Sequence, residues 1–178
     1  MTMTQPSRRQ LLYFGAALGA LAACTPAGQA KDGASYLAPH AGDAYAASPF
    51  RKITEAEWQK RLSPDSFEVL RHEGTETPGT SPLTDEQRVG TYVCAGCALP
   101  LFKSEWHYHS GTGWPSFWTA IKGAVETKTD TSFGMVRNEY HCAQCLGHQG
   151  HIFEDGPEPT GLRYCNNGVA LKFIPKPA

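Results

Sequence analysis

The chain has 178 residues, with 16 Lys+Arg against 17 Asp+Glu, 40% hydrophobic residues and six cysteines. That length suits one hydrophobic core plus a leader, not several domains. A formal charge of −1 leaves no electrostatic footprint for nucleic acid.

The first 23 residues read as an export signal. Ser7-Arg8-Arg9-Gln10-Leu11-Leu12 is a twin-arginine pattern, followed by an apolar and small run from Leu11 to Ala23. That run has 13 residues, against the roughly 20 that a helix needs to cross a bilayer. It ends in Leu21-Ala22-Ala23-Cys24, which looks like the cleavage-and-lipidation box of bacterial lipoproteins. On that resemblance Cys24 becomes the lipidated first residue of a protein held at a membrane on the periplasmic side. A simple cleaved signal with Cys24 incidental is the alternative. Removing residues 1–23 leaves 14 Lys+Arg against 17 Asp+Glu, a formal charge of −3.

Residues 24–50 are rich in Ala, Gly, Pro and Ser and read as a tether. As a flexible coil it would reach roughly 25–30 Å. The segment 51–178 has the composition of one globular domain. Thr54-Glu55-Ala56-Glu57 is a capping box that predicts a helix with Trp58 and Leu62 on one face. Ser63-Pro64 ends it and starts another, with Phe67 and Leu70 buried. Thr75 to Pro82 reads as loop, and Thr84 to Val89 as a short third helix.

Beyond Gly90 the texture is that of strands. Thr91–Val93, Leu99–Phe102, Ile121-Lys122, Ser132–Val136, Glu139–His141, Leu162–Tyr164 and Val169–Ile174 are short and separated by turn residues. That spacing predicts a mainly β fold of antiparallel sheets with short N-terminal helices.

The cysteines beyond the leader divide into two pairs and one single. Cys94-Ala95-Gly96-Cys97 and Cys142-Ala143-Gln144-Cys145 are C-x-x-C elements, 44 residues apart. Two such turns supply the four sulfurs of a tetrahedral zinc site with no open position, hence a structural one. Two disulfides or a redox C-x-x-C are the competing readings. Neither pair sits between a strand and a helix as the redox motif requires.

Cys165 is left without a structural task. Alone, a free cysteine is more often a small buried hydrophobe. Its neighbours argue for reactivity: Arg163 falls on the same strand face, where a cation favours thiolate, and Asn167 follows. His148-Gln149-Gly150-His151 offers two imidazoles. Gly111-Thr112-Gly113-Trp114-Pro115-Ser116-Phe117-Trp118 is a glycine-bounded turn presenting two indoles, as a pocket for a small apolar group would, or as core packing would.

Taken in order, Thr75-Glu76, Gly90 to Cys97, Leu101-Phe102, Ser110 to Phe117, Gly134-Met135, His141 to Cys145, Gly147 to Pro157, Thr160 to Asn167 and Ala170 to Phe173 resemble the B-type methionine sulfoxide reductases, from about Thr54 to the C-terminus. The resemblance implies two antiparallel sheets, zinc on Cys94, Cys97, Cys142 and Cys145, and reduction of R-methionine sulfoxide in peptides and proteins at Cys165. It further implies that Arg163 and Asn167 hold the thiolate face and that His148, His151 and Asp155 serve the departing oxygen. Trp114 would cover the substrate's S-methyl group. In many family members a resolving cysteine stands where this chain has Thr112. A threonine forms no disulfide, so a thioredoxin-like partner or another external thiol would regenerate Cys165. A zinc-ribbon binding module and a thiol–disulfide oxidoreductase are the readings from other classes.

Overall fold

The computed structural model describes residues 42–177. The expected export signal, Cys24 and the expected tether up to residue 41 lie outside the described residues. Gly42–Tyr45 and Pro49–Lys52 form 3-10 turns, and Phe50 stacks on Trp58 with ring centroids 6.4 Å apart.

The capping box forms as the sequence predicts. Thr54 Oγ1 accepts the Glu57 amide while the Glu57 carboxylate accepts from Thr54 N, opening helix α1, Glu55–Arg61. Ser63 caps helix α2, Pro64–His72, with Pro64 in its first turn where no amide hydrogen is needed. Trp58 and Leu70 are buried; Leu62 and Phe67 pack half-buried against the core.

The expected third helix is a correction. Ser81 Oγ caps a single 3-10 turn, Pro82–Asp85, and Glu86 then binds the backbone and guanidinium of Arg88. That side-chain competition for local backbone groups replaces helical bonding.

Nine strands follow among the described residues, all paired antiparallel. In the first sheet β1, Gly90–Cys94, lies between β2, Pro100–Lys103, and β9, Leu171–Pro175. The second sheet runs in the order β3-β4-β8-β7-β6-β5. Its strands are β3 His107–Tyr108, β4 Ser116–Phe117, β5 Val125–Asp130, β6 Arg137–Cys142, β7 His148–Phe153 and β8 Arg163–Asn166.

Two expected strands are turns instead. Ile121-Lys122 belongs to the turn that Gly123 makes with φ 75°, closed by Ala124 N to Ile121 O at 2.9 Å. Ser132–Val136 is the loop of the β5–β6 hairpin, where Asp130 Oδ1 accepts Ser132 N at 2.8 Å and turns the chain.

The alternation of the second sheet separates core from chemistry. Phe117, Tyr164, Ile152 and Tyr140 face inward; Phe102 of the other sheet stacks on Phe117 with centroids 4.1 Å apart. The neighbouring residue in each strand faces the other way. Register places Lys128, Glu139, His151, Cys165 and Ser116 in one row across five strands.

Candidate active site and metal centre

Each C-x-x-C element is the tip of a hairpin: Cys94–Cys97 joins β1 to β2, and Cys142–Cys145 joins β6 to β7. The two tips fold alike. Ala98 N bonds Cys94 O, and Leu146 N bonds Cys142 O, both at 2.9 Å. Ala98 and Leu146 each take φ 59°, the left-handed turn that brings the second sulfur back beside the first. All four buried sulfurs lie within 4.8 Å of one another, with Cys94–Cys145 at 3.6 Å and Cys97–Cys142 at 3.5 Å. Zinc at about 2.3 Å from each of four tetrahedral sulfurs spaces them about 3.8 Å apart. The geometry and the donor set therefore fit a structural zinc that ties one sheet to the other.

The four sulfurs interact strongly with one another. Hydrogen bonding from Cys142, Cys145 and Cys97 holds the Cys94 thiol well below its ordinary range, while Cys145 and Cys94 push Cys142 far above it. Four sulfurs alone cannot all carry charge. A divalent cation among them permits four thiolates.

Cys165 lies apart from this cluster, half-buried, in the second-to-last position of β8. Its cross-strand neighbours are Ser116 on β4 and His151 on β7. Thr75, Trp114, Arg137, Gly150, His151, Phe153, Asn166 and Asn167 complete a pocket around it. Burial pushes the Cys165 thiol up; Arg163 and the Thr112 hydroxyl pull it down. Arg163 is itself fixed by a two-point bond to Asp155, at 2.8 and 2.9 Å, and by the Phe153 ring 4.3 Å beneath it.

A bulge in β7 decides where the histidines go. His141 pairs with His148 but Tyr140 with Gly150, so Gln149 is an extra residue. Regular alternation would put positions 148 and 151 on opposite faces. The extra residue brings both imidazoles to the Cys165 face, with ring centroids 5.5 Å apart. Gly150 is required there: a Cβ would stand 1.9 Å from the Cys165 carbonyl oxygen.

His151 Nε2 is 2.8 Å from Asp130 Oδ2. Ser132, His151 and Arg137 keep that carboxylate ionised, far below the ordinary range, so the ring nitrogen donates to it. Burial lowers His151, against the pull of Asp130, which favours a neutral ring. His148 stands behind His151 and outside the lining of the Cys165 pocket; its Nδ1 is 2.7 Å from the buried Glu139 Oε1.

With this geometry in hand, comparison with known proteins is decisive. The SelR domain profile matches residues 62–175. Peptide methionine sulfoxide reductase MsrB of Thiobacillus denitrificans is 50% identical over 124 residues, 69% of this chain and 94% of that protein. The protein of the same name from Agrobacterium fabrum is 46% identical over 129 residues, 72% of this chain and 96% of that one. Methionine-R-sulfoxide reductase B2, mitochondrial, of Rattus norvegicus is 49% identical over 131 residues, covering 69% and 75% respectively. The chain belongs to the SelR family of MsrB methionine sulfoxide reductases.

In this MsrB-family fold the residues expected from the sequence take different places relative to Cys165, with His148 outside its pocket. Trp114 and His151 line the pocket, while Asp155 holds Arg163. Asn167 is a fastener: Oδ1 accepts Glu76 N and Nδ2 donates to Gln149 O, both at 3.0 Å. Gly113, with φ 91°, packs where a Cβ would stand 2.8 Å from that of Pro78, pinning the Trp114 turn to the loop after α2.

Sequence reasoning gave no role to Glu76 or Gln149, though both lie in segments of the resemblance, and missed Asp130 and Glu139. Glu76 accepts the Trp114 indole on its carbonyl at 3.1 Å and the amides of Gly168 and Val169 on its carboxylate. Gln149 is wholly buried and donates to Cys94 Sγ at 3.5 Å, while its Oε1 accepts from Asn166. A buried glutamine between two histidines and a carboxylate in mid-strand were the only local signals.

Proposed function

We propose that this protein reduces the R epimer of methionine sulfoxide in peptides and proteins, with Cys165 as nucleophile. The observation that carries the reading is one uncommitted, half-buried thiol walled by an imidazole and an indole, while four other described thiols converge on a metal site.

The Cys165 thiolate attacks the sulfoxide sulfur, and as the oxygen gains two protons the S–O bond breaks and water leaves. Water then attacks the Cys165 sulfur of the resulting sulfur–sulfur adduct; methionine departs with the bonding pair, reduced by two electrons, a proton is released, and Cys165 becomes sulfenic acid. Arg163 favours the thiolate and Trp114 receives the S-methyl group. His151, backed by Asp130 and by the His148–Glu139 pair, moves protons to the oxygen. A thioredoxin-like partner or other external thiol then attacks the sulfenic sulfur, releases water, and a second thiol frees Cys165. The zinc, when bound, holds four thiolates and two hairpin tips in place.

The leader supports a setting for this activity: repair of oxidised exported proteins by an enzyme anchored through lipid on Cys24, on the periplasmic side. Mass spectrometry of the membrane fraction should find an acylated N-terminus at Cys24; an unmodified thiol there would overturn the anchor. The activity itself is tested on a methionine sulfoxide peptide with its epimers separated. Wild type should consume the R epimer only, and Cys165→Ser neither; residual turnover in that variant would refute the nucleophile.

A further inference from the structure

Among the residues lining the Cys165 pocket is one arginine, Arg137, which the reduction chemistry leaves without a task. It opens β6, two residues before Glu139, so alternation puts it on the same face as Glu139, His151 and Cys165. Asp130 stands opposite it on β5. The guanidinium spends one nitrogen on the protein: Nη2 donates to Asp130 Oδ2 at 2.6 Å and to Ser132 Oγ at 3.2 Å. Nε is buried without a partner, while the side chain as a whole stays 25% exposed. The same Asp130 oxygen takes His151 Nε2 at 2.8 Å, so guanidinium and imidazole are anchored side by side.

The two anchored groups stand at different distances from the reacting sulfur. His151 is the direct cross-strand neighbour of Cys165, roughly 5 Å away between Cα atoms. Arg137 lies one strand farther and two residues along, about 12 Å from Cys165 at ordinary sheet spacings. A sulfoxide sulfur under attack rests on Cys165, which leaves its oxygen to His151. The main-chain carbonyl oxygen of the same methionine residue is five bonds away, up to about 6 Å outward, where the Arg137 guanidinium lines the wall. The charge of Arg137 is already met by Asp130, but its hydrogens are not all used. A neutral acceptor suits such a group better than a second carboxylate.

We propose that Arg137 is a substrate-binding residue that donates to the main-chain carbonyl oxygen of the methionine sulfoxide residue, which ties recognition to the polypeptide and not to the sulfoxide group alone. The inference rests on Cys165 being the nucleophile, because that fixes where the substrate sulfur sits. Asp130 then has two duties on one oxygen, holding the imidazole that serves the reacting oxygen and the guanidinium that holds the peptide.

The test is single-turnover reduction by the zinc-loaded full chain, followed against the concentration of N-acetyl-(R)-methionine sulfoxide methylamide and of its C-terminal thioamide, whose sulfur is a poorer acceptor at that carbonyl. Arg137→Lys keeps a cation on Asp130 and gives up the remaining donors of the fork. Half-saturation by the amide should rise roughly tenfold in that variant while the limiting rate holds. In wild type the thioamide should cost several-fold in half-saturation; in the lysine variant it should cost nothing further, because the donor is already gone. A lysine variant with wild-type half-saturation overturns the contact, and so do two losses that multiply, the result a merely structural arginine would give. If the variant does not fold, wild type still decides: equal half-saturation by amide and thioamide overturns the contact. In each of these cases turnover of the amide by wild type leaves the proposed activity standing. No reduction of the R epimer by wild type would refute that activity and the contact with it.

Discussion

Glu76 is the point where the loop after α2, the Trp114 turn and the strand bearing Cys165 are fastened together. Its carboxylate accepts Gly168 N at 2.6 Å and Val169 N at 3.0 Å, the first amides of the 3-10 turn that follows Asn167. Its backbone carbonyl and amide hold Trp114 Nε1 and Asn167 Oδ1. A hydrogen bond to a charged group is worth about 1.5–3 kcal/mol. Glu76→Ala loses two; with water replacing part of one, the expected loss is about 3 kcal/mol, or roughly 10 °C in Tm for a domain of this size. Glu76→Gln keeps one acceptor and turns a donor toward the other amide, so about half that loss is expected. Because the main-chain contacts of residue 76 persist only if the loop stays docked, KM for a sulfoxide peptide should rise more than kcat falls. Denaturant titration of the zinc-loaded protein and steady-state kinetics with dithiothreitol measure both. An alanine variant within about 0.5 kcal/mol of wild type and unchanged in KM would refute the fastening role.

Cys97→Ser or Cys145→Ser should release zinc and lower thermal stability sharply, since such sites contribute on the order of 10 kcal/mol in zinc peptides. Stoichiometric metal and unchanged melting in both would rule the site out. Without reductant, a single turnover should yield one equivalent of methionine and a sulfenic acid, read by intact mass and thiol count; loss of two thiols with zinc retained would reveal a resolving cysteine. Thr112→Cys should open a disulfide route to Cys165, which requires the two Cα atoms to come within roughly 4.4–6.8 Å; unchanged thiol loss after one turnover would exclude it. Glu139 is held down to about 2 by His141 and His148 in spite of its burial. A depressed carboxylate stabilises the fold above its ordinary range and loses that contribution as pH falls through the folded value. The stability gap between wild type and Glu139→Gln should therefore shrink as pH falls from 5 toward 2; a constant gap would refute the ion pair.

What the sequence disclosed was local, and what it hid was tertiary. A capping box lies within four residues, and a C-x-x-C knuckle within six, so both α1 and the metal ligands were legible. The strand His148–Phe153 was not, because glycine, glutamine and two histidines carry no β propensity. That segment is strand because it lies between β6 and β8 and exchanges bonds with both. Val125–Asp130 was hidden likewise: its one inward apolar side chain, Val125, makes no visible alternation. Asp130 meets His151 across 21 positions and Glu76 meets Gly168 across 92, distances at which no spacing rule operates.

The bulge at Gln149 unites the two sites that the sequence presents as separate. One inserted residue turns His148 and His151 toward Cys165 and, by the same step, drives the Gln149 side chain into the core. There its amide has one donor on Cys94 Sγ and its oxygen on Asn166, whose own oxygen takes the Tyr140 hydroxyl at 2.7 Å. A buried amide has no water to fall back on, so these bonds hold only while both ends stay in place. The metal-bearing tip therefore sets the depth of β7, and β7 sets the position of the imidazole opposite the reactive sulfur. A zinc site that takes no part in the chemistry is in this way coupled to the geometry on which the chemistry depends.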